Sequence, residues 1–186
     1  MSKAEQTKAA LFACARQLFW SRGYSNVPLR EIARAVGVDV ALIARYFGSK
    51  IGLFDATLEG LPELDPSSID DRGALVEFVV NLLVAVPRDG TRPAATTFVL
   101  MNAGDPEVGE AVRELFESKW QQPLDAIIGD KEKAALFTAV MFGMSMAENT
   151  LRLGAIASPQ SDEYKDQLRG LLMAALTVEQ TRRRQI

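Results

Sequence analysis

The stretch V-P-L-R-E-I-A-R-A-V-G-V-D-V-A-L-I-A-R-Y-F-G-S-K, Val27–Lys50, constrains the fold more than any other part of the chain. Apolar residues recur at Leu29, Ile32, Ala33 and Val36, and again at Val38, Ile43 and Phe47. That is helical spacing, broken at Gly37, a residue that tolerates left-handed backbone and so turns the chain. Asp39 stands where its carboxylate can accept backbone N–H bonds at the start of a second helix. Two short helices about a glycine turn make a helix-turn-helix, a motif whose second helix enters the DNA major groove.

The flanks fit this reading. Lys3–Ser21 reads as an amphipathic helix with Leu11, Phe12, Ala15, Leu18 and Phe19 on one face, ended by Gly23 as a C-cap. Pro28 can open a helix because its missing N–H would be unpaired there anyway. Ser49 caps a fourth helix running to about Glu59, which carries Ile51, Leu53, Phe54 and Leu58.

Four pieces in order, L-F-W-S-R-G-Y (Leu18–Tyr24), R-E-I-A (Arg30–Ala33), G-V (Gly37–Val38) and Y-F-G-S-K (Tyr46–Lys50), with Leu53 behind them, give residues 1–54 a resemblance. They resemble the DNA-binding domain of the tetracycline-repressor (TetR) family of bacterial transcription regulators. The resemblance implies that Asp39–Phe47 lies in the major groove, with Val40, Ala41 and Ala44 facing base edges. It places Tyr46 and Lys50 at phosphates, and Arg30 within reach of a base or the backbone. The chain departs from the family at Val27 and Pro28, where Thr or Ser is usual, so a hydroxyl cap and its phosphate contact are missing. Val40, Ala41, Leu42 and Ala44 cannot hydrogen-bond to bases, although they can pack on thymine methyls. Sequence readout is therefore expected to rest on Arg30, Arg45 and DNA shape, with Leu42 exposed toward the groove.

Charge agrees with a DNA-binding head. Residues 1–50 hold eight basic residues against three acidic ones, a net of +5, which leaves −8 for the rest of a chain whose total is −3. A basic head on an acidic body suits a protein whose head alone meets phosphates. The chain has no histidine, which removes the commonest general base and metal ligand. No nucleophile site stands out, so neither an enzyme nor a cofactor or metal is expected. The single cysteine, Cys14, has no internal partner and reads as a buried thiol in a reducing compartment. No run approaches the roughly 20 apolar residues of a membrane helix, and no basic-then-apolar leader opens the chain, so a soluble cytoplasmic protein is expected.

After a linker at Gly60–Ser68 the sequence breaks into helical blocks at Pro and Gly. These are Asp70–Val86 (closed by Pro87, Asp89 and Gly90), Arg92–Ala103, Pro106–Ile128, Lys131–Leu153 and Tyr164–Val178, followed by a basic tail at Arg182–Arg184. Pro123 is expected to kink the third block or break it one turn earlier. The whole predicts an all-α fold of about nine helices. A three-helix helix-turn-helix domain (1–48) joins a helical ligand-binding and dimerisation domain (49–186).

Two faces of that second domain matter. Val140, Gly143, Ala147, Leu151 and Gly154 form a small-residue stripe, with Leu168, Leu171, Leu172, Ala175 and Leu176 as the matching stripe of the last helix. The family's intermolecular four-helix bundle would use both, and a two-fold operator needs two recognition helices about 34 Å apart. Phe98, Met101, Phe116, Trp120, Phe137, Met141 and Met144 are candidates to line an adaptable apolar pocket. Glu148 joins that candidate pocket; with Asn149 and Asn102 it is a polar interruption whose partner would be a ligand, cationic toward Glu148, or a hydrogen bond within the chain. The expected function is a ligand-responsive repressor, binding a palindromic double-stranded operator as a homodimer and released by a small, largely apolar effector. The alternative is a helical small-molecule-binding or scaffold protein without sequence-specific DNA recognition.

Overall fold

The computed structural model of the chain describes residues 2–59, 61–85, 94–154, 156, 158 and 161–178. These residues are helical and contain no strand, as the sequence predicts. The α-helices are α1 (Lys3–Arg22), α2 (Leu29–Val36), α3 (Ala41–Phe47), α4 (Lys50–Leu58), α5 (Arg72–Val84), α6 (Ala95–Asn102), α7 (Gly109–Phe116), α8 (Gln122–Ile128), α9 (Lys131–Asn149) and α10 (Asp162–Thr177). A π turn, Glu117–Gln121, separates α7 from α8. Counting the helical stretch 109–128 once gives nine helices among the described residues. The expected breakers Gly60, Pro87, Asp89 and Gly90, the block start Arg92 and the tail Arg182–Arg184 lie outside the described residues.

The chain divides into two compact units, Met1–Glu63 with Val86–Glu117, and Leu64–Ala85 with Ser118–Ile186. The sequence reading divided the chain once, after residue 48. The units divide differently because α4, α6 and α7 pack with the helix-turn-helix.

The first unit is built on α1. Ser2 and Glu5 form a reciprocal capping box at its start, satisfying two donors that a helix N-terminus leaves unpaired. Leu11, Ala15, Phe19 and Trp20 bury its inner face against Val27, Ile32, Ile43, Leu53, Phe54 and Phe98. Phe19, Tyr24, Phe54, Phe98 and Trp20 make an aromatic chain with centroids 5.0–5.9 Å apart and tilted or edge-on rings. Pro28 precedes α2 without a side-chain cap, and Val27 is fully buried in place of the family's hydroxyl residue. Gly37 closes α2 at φ +73°, ψ +35°, and its N–H returns to Arg34 O at 3.1 Å. Asp39 Oδ1 then accepts from Ala41 N–H at 2.7 Å, the expected cap for α3.

Gly23 ends α1 at φ +84°, and a Cβ there would stand 2.9 Å from the Met101 carbonyl oxygen. The turn after it is therefore pressed onto α6. Asn102, fully buried in α6, secures it: Tyr24 N–H donates to Asn102 Oδ1 at 2.8 Å, and Asn102 Nδ2 donates to Phe19 O (3.1 Å) and Phe98 O (2.8 Å). Among the polar residues weighed as ligand partners, Asn102 is thus a structural clamp. Phe98 is corrected likewise, since its ring packs between Trp20 and Phe54 in this core.

The second unit packs α10 against α9 and α5, with α8 against α9. Its core includes Leu75, Val79, Trp120, Leu124, Phe137, Met141, Tyr164, Leu168 and Leu172. Glu77 and Arg169 tie α5 to α10 through a two-pronged ion pair at 2.5 and 3.0 Å. Each partner moves the other's titration, the guanidinium lowering the carboxyl pKa and the carboxylate raising that of the guanidinium. The π turn explains what Pro123 does. Proline lacks the N–H that would bond four residues back to Lys119 O, and Leu64 N–H occupies that carbonyl instead at 3.0 Å.

Two outcomes follow from this packing. Asn102→Ala should lower stability by about 2–4 kcal/mol, because a buried N–H and two buried carbonyls lose a partner together. An unchanged urea midpoint would contradict the clamp. Gly37→Ala should cost about 1–2 kcal/mol through backbone strain alone, since no atom stands within 4 Å of the added Cβ. Loss of well under 0.5 kcal/mol on thermal unfolding would show that the turn can relax.

Candidate nucleic-acid interface

The helix-turn-helix presents a short α3 whose inner residue, Ile43, is fully buried while its outer residues are open. Val40 is 45% exposed, and Ala41, Ala44 and Arg45 are exposed beside it. The first-turn register set by Asp39 therefore turns the predicted groove-facing set outward, with a face that is apolar except for Arg45. Leu42 departs from expectation. It is half-buried against the head core, so its apolar surface already has a partner within the chain.

Charged groups flank this face. Arg30 is exposed in the first turn of α2. Arg22 pairs with Glu31 at 2.5 Å across the turn joining α1 to α2, which fixes the entry to the motif. Tyr46 is half-buried, with its ring 6.5 Å from that of Phe47 and edge-on to it. Lys8 Nζ lies 5.7 Å from the centroid of the Phe47 ring. Ser49 Oγ accepts from Gly52 N–H at 3.0 Å and caps α4 at the residue before Lys50.

Lys50, expected at a phosphate, has a partner within the chain that the sequence did not indicate. Its ammonium sits 4.1 Å from the centroid of the Tyr24 ring, a cation–π distance. Tyr24 is itself 1% exposed, and its hydroxyl donates to Glu107 Oε1 at 2.8 Å. Asp105, in the same segment between α6 and α7, accepts from Ser25 N–H at 3.2 Å and from Glu107 N–H at 2.9 Å. Burial pushes the Lys50 ammonium below the usual lysine range, while Glu107 and Asp105 pull it the other way. Burial and the bond to Glu107 push the Tyr24 phenol up, so it stays a neutral donor. Nothing in sequence connects positions 24, 50 and 107; only the packing of α6 beside α1 does.

The remaining predicted site residues fall in both units. Met101, 37% exposed, and half-buried Phe116 belong with Phe98 to the first unit. Trp120, Phe137, Met141 and Glu148 are buried in the second, with Met144 half-buried there. Asn149 donates to Ser145 O at 3.0 Å and so has a partner within its own helix. The expected dimer stripe of α9 reaches the surface: Gly143 is exposed, Val140 and Ala147 are half-buried, and Leu151, just past the helix, is 59% exposed. That of α10 does not. Leu168, Leu172 and Ala175 are buried in the chain's own core, because α10 has apolar residues on two faces and this one packs inward. Its outward apolar residues are Leu171, Met173 and Ala174, with Val178 exposed just past its end. Among the described residues no carboxylate or thiol cluster could hold a metal, and no helix is long and apolar enough to cross a membrane.

Comparison with known proteins agrees with this architecture. No curated protein matches the chain. Two crystal structures of NalD, the secondary repressor of the MexAB-OprM multidrug efflux pump in Pseudomonas aeruginosa, align with a TM-score of 0.70 at 18% identity, covering 93% of this chain and 97% of theirs. A HlyIIR mutant protein aligns at 0.57 and 18% identity, over 96% of this chain and all of its own. At such identities the likeness is one of fold. The family model for bacterial regulatory proteins of the tetR family matches residues 6–57, and that for the tetracyclin repressor-like C-terminal domain matches 74–178. The chain belongs to the tetracycline-repressor (TetR) family of bacterial regulatory proteins.

Proposed function

We propose that the chain is a ligand-responsive transcriptional repressor that binds a palindromic operator as a homodimer and leaves it when a small, largely apolar effector binds. The observation that carries this reading is the outward face of α3. It exposes Val40, Ala41, Ala44 and Arg45 on a head whose other apolar residues are mostly covered, with Arg30 and Lys50 at the flanks. A guanidinium at Arg30 or Arg45 can pair with guanine O6 and N7, while Tyr46 and Lys50 suit phosphate oxygens.

Dimerisation is supported by unpartnered apolar surface in the second unit. Leu136 of α9 is 42% exposed on the same face as Val140 and Gly143, and Leu171 and Val178 are 45% and 44% exposed. Effector binding is assigned to the second unit, around Trp120, Phe137, Met141, Met144 and Glu148. Trp120 Nε1 and Tyr164 Oη are buried there without a hydrogen-bond partner. Buried donors left unpaired are costly, so an effector offering an acceptor among apolar surface would be favoured. It must bind the non-operator conformation more tightly, because only differential affinity shifts the equilibrium. No cofactor or catalytic group enters this account.

Binding to a duplex from upstream of its own gene, compared with a mixed-sequence duplex, tests the reading. Specific binding supports it. Salt-dependent binding of both duplexes alike would favour the reading without sequence-specific recognition, which the apolar face of α3 keeps in view. Lys50→Ala should weaken binding to both duplexes and reduce the salt slope by about 1, whereas Arg45→Ala should weaken the promoter duplex selectively. In sedimentation, Leu171→Glu should yield monomers. Leu168→Ala should instead leave the dimer intact and lower stability by about 2–5 kcal/mol, as a buried core deletion does. The reverse pattern would reassign the interface to the inward face.

A further inference from the structure

We infer that Tyr24 and Glu107 are positioning residues for Lys50, holding its ammonium on an aromatic seat so that every phosphate it binds is bound in competition with that seat. This rests on the reading of Lys50 as a phosphate contact. The seat is specific to how this chain packs. The Tyr24 ring is covered on all but 1% of its surface, yet one face meets Lys50 Nζ at 4.1 Å. Its hydroxyl donates to Glu107 Oε1 at 2.8 Å, and a phenol donating to a carboxylate carries more electron density on its ring, which strengthens attraction for a cation.

The ring backbone is fixed as well. Tyr24 N–H is held by Asn102, and Ser25 N–H by Asp105, so the seat cannot follow the lysine when the lysine moves. A phosphate oxygen offers the ammonium both a full negative charge and a hydrogen-bond acceptor, whereas the neutral ring offers only the negative face of its quadrupole. DNA therefore wins the competition, at an affinity reduced by what the seat contributed. Glu107 lies between α6 and α7, so that segment, distant in sequence from the helix-turn-helix, sets how available one of its cations is.

The test is a double-mutant cycle of Glu107→Gln and Lys50→Ala, read as affinity for a mixed-sequence duplex at fixed salt. Glutamine keeps an acceptor for the Tyr24 hydroxyl and removes only the charge. Alone it should tighten binding about two- to fivefold, the scale of an exposed cation–π or ion-pair contact, and it should do nothing in the Lys50→Ala background. An equal gain in both backgrounds, or weaker binding, would overturn the seat. Lys50→Ala leaving affinity untouched would overturn the phosphate reading itself. Independently, the Lys50 ε-methylene protons should show an upfield ring-current shift in the free protein that disappears on adding duplex. A shift that persists on DNA would contradict the competition.

Discussion

One buried amide organises the head. Asn102 accepts from the Tyr24 N–H and donates to the Phe19 and Phe98 carbonyls, joining the end of α1 to α6 at a site with no exposed surface. The turn it holds contains Gly23, whose missing Cβ lets the backbone approach the Met101 carbonyl. A buried polar network of this kind specifies one arrangement, because any slip leaves donors and acceptors unpaired in a low-dielectric interior. The consequence is that α6 and α7 belong to the same compact unit as the helix-turn-helix.

That arrangement divides the work of DNA recognition. The frame of the motif is built from a left-handed Gly37, the Asp39 and Ser49 caps and the Arg22–Glu31 pair, and it fixes how α3 is presented. What α3 presents is mostly methyl groups. On the proposed reading, attraction to the duplex comes from the flanking cations, and one of these, Lys50, lies over the Tyr24 ring, outside the motif. On that reading, discrimination between sequences is left to Arg30 and Arg45, to apolar contacts with thymine methyls and to DNA shape.

Much of this was legible in the sequence where local chemistry decides. Helical spacing, Gly37, Asp39 and Ser49 act within a few residues of themselves, so the elements of the head were readable. Pro123 was also readable as a disruption, although its form, a π turn whose Lys119 carbonyl accepts from Leu64 N–H, depends on a residue far away. Contacts across long sequence separations were not readable. Asn102 and Glu107 meet Tyr24 only because α6 packs on α1, and Phe98 joins the head core for the same reason. The α10 stripe was read as one face, yet Leu168, Leu172 and Ala175 are buried within the chain while Leu171 is exposed, and periodicity alone cannot say which of two apolar faces turns inward.

The central claim is that the Asn102 clamp makes α6 part of the DNA-binding head. Native-state amide hydrogen exchange at Tyr24 tests it most directly, since this N–H belongs to no helix and depends on one side chain. If the clamp holds as described, Tyr24 exchanges only with unfolding of the unit, at the same protection as the core amides of α1. Exchange as fast as that of the neighbouring exposed Asn26 amide would mean that the turn opens on its own. The head would then fold without α6.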